Sequence, residues 1–167
     1  MRGIKITMVK GLFIPCSADQ PILEGTFNEL SDYQQVVGGY IEAVYVRNHP
    51  FVLVVNEDGR AKRLAMNRRA TILWWLHNPA AIGGSQLRGD VVIVGPVKHD
   101  DFTDVPANMI EMLLHTAQFQ LQVLLSESSD TWVPIGEEVS NFFQAAVRAL
   151  RLMEVWNPPT DVRVIAV

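Results

Sequence analysis

The amino-acid sequence predicts an α+β fold, with a mixed or antiparallel central sheet of about four to six strands packed by two long helices plus one or two short helices. Three observations carry this expectation. β-Branched runs bounded by turn residues fill the middle of the chain, at 40–47, 51–55 and 91–94. Two later stretches, 107–125 and 137–156, repeat apolar residues at helical spacing. The 167 residues are 49% hydrophobic and 19% charged, which is enough apolar material for a core and too little charge for a disordered chain.

Residues 4–14 alternate weakly and suit a first strand, and Pro15 and Pro21 mark the loop that follows. Thr26, with Glu29 three positions on, forms a capping pattern for a short helix that Gly38-Gly39 ends, with Phe27, Leu30, Tyr33 and Val37 on one face. The runs 40–47 and 51–55, separated by Asn48-His49-Pro50, read as a hairpin. Alternation puts Glu42 on the face of Tyr40 and Val44, whereas the unbroken 51–55 run suits a strand buried on both faces. A helix is expected over 67–76, ended by Asn78-Pro79, and a second central strand over 91–94, ended by Gly95-Pro96.

After Pro106, the stripe Ile110, Leu113, Leu114, Ala117, Leu121, Leu124 and Leu125 predicts one long helix across the sheet. A polar link over 126–136 then leads to a second long helix over 137–156, with acids first and arginines later, stopped by Asn157-Pro158-Pro159. Val162, Val164 and Val167 suggest a terminal strand, at a sheet edge or beside the first strand. Residues 1–167 read as a single α+β domain whose one internal boundary candidate lies near Ser126.

The net charge of −4 supplies no overall field for a nucleic-acid backbone or an anionic membrane. The single Cys16 forms no intrachain disulfide and reads as an inert thiol. Lys10 breaks the apolar run before Pro15, so no export signal is read there, and no stretch approaches the roughly 18 apolar residues of a membrane span. A cytoplasmic protein of a bacterial host, with no membrane contact, is expected.

Glu42, Asn56, Glu57, Asn67 and Arg68 stand at strand ends and turns, and two readings of them are open. An arginine fork with two amides and a carboxylate would bind a nucleotide, sugar or carboxylate. In the structural alternative Asn56 shapes a turn, Asn67 caps a helix and Glu42 pairs with Arg68. The stretch 60–69 holds Arg60, Lys62, Arg63, Arg68 and Arg69 without an acid, which suits a solvated face better than a nucleic-acid contact, because no recognition motif accompanies it. His77, His99, Asp100, Asp101 and His115 lack the spacing of a zinc or calcium site, so no metal or cofactor is expected. Neighbours on a helix diverge by about 100°. One residue of Trp74-Trp75 and one of Phe142-Phe143 is therefore a candidate for a partner surface.

Residues 33–104 carry Val37-Gly38-Gly39-Tyr40-Ile41-Glu42, Val55-Asn56-Glu57-Asp58-Gly59, Met66-Asn67-Arg68-Arg69-Ala70 and Gly89-Asp90-Val91-Val92-Ile93-Val94-Gly95. In order and spacing these motifs resemble a domain of unknown function catalogued as family 3846. The resemblance implies a compact α+β unit and a phage, plasmid or other mobile-element context, without a transferable activity. It makes 26–125 the family-like core and 126–167 a C-terminal helix-strand extension. The leading functional expectation is a non-enzymatic accessory protein that binds a host protein or associates with itself as a homodimer. The alternative is a protein that sequesters a small anionic, nucleotide-like ligand through Glu42, Asn56, Asn67 and Arg68. A hydrolase with an unrecognised site ranks last.

Overall fold

The computed structural model describes residues 8–155 and 159–167. Its larger sheet contains β1 (Val9–Ile14), β2 (Leu23–Phe27), β3 (Ile41–Tyr45), β4 (Val52–Asn56), β5 (Val91–Lys98) and β6 (Asp101–Thr103). The order is β2-β1-β5-β4-β3, with β6 on the far half of β5, and every pairing is antiparallel. α1 (Leu30–Val37) connects β2 to β3, and α2 (Arg68–His77) lies between β4 and β5.

The apolar runs explain this centre. In β4 and β5 the odd-numbered Leu53, Val55, Val91 and Ile93 face the main core with Leu12 and Ile14, while Val52, Val54, Val92 and Val94 face Tyr33 and Val37 of α1. The expectation that 51–55 is buried on both faces therefore holds. Each fully buried Val, Leu or Ile contributes roughly 1.5–3 kcal/mol, so the β4–β5 pair is the densest source of stability. Gly95 lets β6 close onto β5, because a Cβ there would overlap the Asp104 carbonyl and the Thr103 hydroxyl.

The second sheet has the order β8-β7-β9, formed by β7 (Phe119–Leu124), β8 (Trp132–Val139) and β9 (Asp161–Ala166). Phe119, Leu121 and Val123 point inward with Val162 and Val164. On the other side, the Arg163 guanidinium lies 4.1 Å over the Trp132 ring and donates to Gln122 Oε1 at 2.7 and 2.9 Å. α4 (Phe142–Met153) packs against α2 and this sheet through Ala145, Ala146 and Ala149, whose small side chains permit close approach. One apolar cluster contains residues from both sheets, α2 and α4.

The later part of the chain differs from expectation. The long helix over 107–125 is absent: α3 (Ala107–Ile110) runs into a π turn at Glu111–His115 and stops. The Thr116 amide and hydroxyl both donate to the Glu111 carbonyl, at 2.9 and 3.0 Å, which closes the last turn. Beyond it, residues 119–124 alternate buried and half-buried, and pairing with β8 and β9 on both sides outweighs their equally good helical spacing.

The second helix starts at Phe142, not Glu137, because Glu137, Glu138 and Val139 end β8. Asn141 Oδ1 caps α4 by accepting from the amides of Phe143 and Gln144 at 2.9 and 3.2 Å. The polar link over 126–136 consequently ends in strand, with Gly136 at φ 71° beside a shift in the β7–β8 register. Of the two long helices expected, the first thus gives way largely to strand and the second is shortened to the 12 residues of α4, with a second sheet beside it. Thr26 lies in β2, and Asp32 holds the start of α1 by accepting from Asn28 and Glu29 at 2.7 and 3.1 Å. β9 pairs with β7 at the edge of the second sheet, not with β1. Ile4 to Thr7 of the expected first strand, and Asn157-Pro158, fall outside the described residues.

Asn67 is fully enclosed between β1, β5 and α2. Its Nδ2 donates to the carbonyls of Ile14 and Gly89, both at 2.9 Å, and its Oδ1 accepts from the Ala70 amide at 3.1 Å. Asn67→Ala leaves the buried Ile14 carbonyl and the part-buried Gly89 carbonyl without this donor and removes a helix cap, a combined loss of about 3 kcal/mol. Urea denaturation should show this as a clearly lower midpoint, whereas exposed Gln144→Ala should leave the midpoint almost unchanged. Equal midpoints for Asn67→Ala and the parent chain would refute the assignment.

Candidate functional site

The sequence-predicted ligand residues separate in the fold. Glu42 is exposed on the edge strand β3 and shares a groove with Asn56, Arg60, Trp74 and Arg88. Asn56 is buried there, with Nδ2 donating to the Val37 carbonyl at 3.0 Å and Oδ1 accepting from the Asp58 amide at 2.8 Å. It ties the end of α1 to the β4 turn. Asn67 is likewise occupied by backbone groups. Arg68 lines a different groove, so Glu42 and Arg68 share no pocket.

That second groove has a volume of about 510 Å³ and lies where the start of α2 meets the outer side of α4. Arg68 and Arg69 enter from α2, Arg148 and Arg151 from α4, while Ile72, Phe143 and Val147 supply apolar surface between them. No carboxylate lines it among the described residues. Arg68, Arg148 and Arg151 are exposed. Arg69 is anchored, its Nη2 donating to the carbonyls of Pro15 and Ser17 at 2.8 and 2.9 Å, while its Nε is enclosed without a partner. Burial lowers the pKa of its guanidinium, which nonetheless stays charged at neutral pH. Arg68 and Arg69 sit in the first turn of α2, where the helix dipole disfavours cations and no acid compensates.

The aromatic pairs behave differently from one another. Trp74 and Trp75 are both half-buried, and Trp75 Nε1 donates to the Ser85 carbonyl at 2.9 Å. Trp74 Nε1 is enclosed without a partner. Phe142 is buried against Phe119, with ring centroids 5.7 Å apart, and the adjacent Phe143 turns outward into the arginine groove. Arg68 and Phe143, predicted for separate roles, thus meet. Arg148 and Arg151 were missed as site residues: their i, i+3 spacing on α4 was visible, but their approach to α2 depends on a long-range contact.

At the opposite end of α2 a smaller cavity, about 100 Å³, is lined by His49, Phe51, His77, Met109, Met112 and Phe142, among others. The His49 and His77 rings meet edge to face at 4.6 Å, and His77 Nδ1 lies 2.9 Å from the Leu73 carbonyl. Among the described residues, no three His, Cys, Asp or Glu side chains cluster as metal ligands, and His99 and His115 line neither this cavity nor the groove.

Burial pushes the His77 pKa below the usual histidine range; the bond to Leu73 opposes the shift and His49 adds to it. The unfolded chain therefore takes up the proton more readily. Stability from neutral His77 is complete above its unfolded pKa of about 6.5 and declines as pH falls below it towards the lower folded value. Urea midpoints measured from pH 7.5 to 5 should fall less steeply for His77→Gln than for the parent chain. Identical slopes would remove His77 as a contributor.

No helix of the described residues is long and apolar enough to cross a membrane. Neither a curated protein nor a solved structure matches the chain. The family described as Domain of unknown function (DUF3846) matches residues 10–119, from β1 to the first residue of β7. This is wider than the 33–104 motif segment and ends before the expected boundary at 125; the remainder contains most of β7 and all of β8, α4 and β9, more than a helix and a strand. Over that matched stretch, which includes the Asn67 junction and the α2 side of the arginine groove, the chain belongs to the DUF3846 family.

Proposed function

We propose that this chain is a small, non-catalytic accessory protein of a phage or other mobile element, which binds a host protein through the groove between α2 and α4. The observation that supports the reading is the convergence of Arg68, Arg69, Arg148 and Arg151 around Phe143, Ile72 and Val147. Arginines at the rim of an apolar, aromatic-containing floor match the composition of protein interfaces. The groove is an open surface depression, whereas a small-ligand site encloses most of its ligand. This favours a polypeptide over a sequestered nucleotide.

Its charge selects an acidic partner segment, with carboxylates flanking an apolar side chain. The two arginines opposed to the α2 dipole fit the same reading, because a bound carboxylate would relieve that repulsion. The chain is acidic overall, so the groove supplies attraction locally and the remaining surface restricts the approach.

Partner capture from host lysate should diminish at least about tenfold for the double variant Arg148→Glu/Arg151→Glu and weaken as salt rises, as expected for charge pairing at an interface rim. Glu42→Gln should retain the partner. Capture that survives both charge reversal and high salt would overturn the reading.

The self-association alternative draws support from β3, which lies at the edge of the larger sheet with Tyr45 62% exposed. Light scattering would favour it if a dimer formed and Tyr45→Lys dispersed it; a monomer at all concentrations would reject it.

A further inference from the structure

We propose that the cavity at the carboxyl end of α2 is a binding site for Cu(I), held by the imidazoles of His49 and His77 and the thioethers of Met109 and Met112. Its donors converge from three elements. His49 comes from the β3–β4 connection, His77 from the last position of α2, and Met109 and Met112 from the segment beginning with α3, where i, i+3 spacing puts them on neighbouring positions of one helical face. All four line one cavity of about 100 Å³, a size suited to one ion and far below the roughly 300 Å³ at which organic-ligand pockets begin.

The orientation of His77 supplies a second argument. A carbonyl oxygen only accepts, so the 2.9 Å approach to Leu73 assigns the proton to Nδ1 and leaves a lone pair on Nε2. Metal-bound histidines are held in this way, with the nitrogen remote from the ion donating to a fixed acceptor. The His49 ring lies 4.6 Å away, which places a second imidazole within reach of the same ion. His49 is exposed and His77 half-buried, and both line the cavity.

The donor chemistry then selects the ion. No carboxylate or thiol lines the cavity among the described residues, which disfavours calcium, magnesium and thiolate-bound zinc. Imidazole nitrogen with thioether sulfur favours soft Cu(I). Phe51, Leu73, Leu113 and Phe142 form an apolar wall, beside which a strongly hydrated divalent ion would lose water only at high cost, and a monovalent ion at less. The π turn at Glu111–His115 lies just beyond Met109 and includes Met112, so the helix is irregular at this wall.

Titration of the full chain with Cu(I), without oxygen and against a chromophoric Cu(I) chelator, should withdraw one equivalent from the chelator. His77→Gln and Met112→Leu should each weaken binding by at least about tenfold, the lower range for disturbing even the outer partners of a metal site. Met112→Leu conserves volume. A urea midpoint near that of the parent would separate its effect from unfolding. Met8→Leu, at a position 62% exposed and outside this cavity, should leave the affinity unchanged. X-ray absorption of the complex should show nitrogen and sulfur around copper. Failure to withdraw Cu(I), undiminished affinity in both site variants, or a shell without sulfur would overturn the assignment.

Discussion

The Asn67 amide is the constraint on which much of this fold depends. One enclosed side chain satisfies the Ile14 carbonyl at the end of β1, the Gly89 carbonyl before β5 and the first turn of α2. Nearby, the Cys16 amide donates to Asp90 Oδ1 at 2.8 Å and Arg69 grips the carbonyls of Pro15 and Ser17. Two strands, a loop and a helix start are thus joined by polar contacts around the fully buried Asn67 side chain, where an unmet amide group is costly. Arg68 and Arg69 emerge from this junction. Their presentation on the outer side of α2 follows from satisfying the backbone beneath them.

Where a segment obeyed one periodicity, the sequence was legible. The 51–55 and 91–94 runs are β-branched, short and bounded by turn residues, so a helix was disfavoured and burial on both faces was the consistent reading. Asn67 also announced its helix directly. The failure came at 107–125, where leucines fit a helical stripe and residues 119–124 fit strand alternation as well. Local sequence could not decide between them; two strand neighbours did, one of them from residues 161–166. The same contest displaced the start of the last helix from Glu137 to Phe142, because Asn141 supplied a cap while residues 137–139 completed a strand.

The candidate site was legible only in fragments. Arg68 belonged to a visible basic stretch and Phe143 to a visible aromatic pair, but nothing local joined them. Their meeting requires α2 and α4, far apart in the chain, to pack together. Glu42 and Asn56 do share a groove, and Asn56 already serves backbone partners on both sides of its amide. The residues whose polar pattern looked most like a ligand set therefore include the two that hold the framework together. Arginines widely separated in sequence carry the exposed charge.

α4 explains how both candidate surfaces coexist with one core. Ala145, Ala146 and Ala149 are fully buried on one side, and their small size brings the helix close to α2. Near its start, Phe142 turns inward to wall the histidine-methionine cavity, while Phe143 turns outward beneath the arginines; their rings stand 5.2 Å apart and nearly perpendicular. The divergence of about 100° between successive helical residues thus lets Phe142 reach the cavity and Phe143 reach the arginine groove, while both pack on the same core cluster. Because α4 lies beyond the residues matched by the family, Arg148 and Arg151 of the arginine groove and Phe142 of the cavity come from that added part of the chain. Residues 10–119 supply Arg68 and Arg69 of the groove but not Arg148 and Arg151, so chains that share only the family segment need not share the groove's binding chemistry.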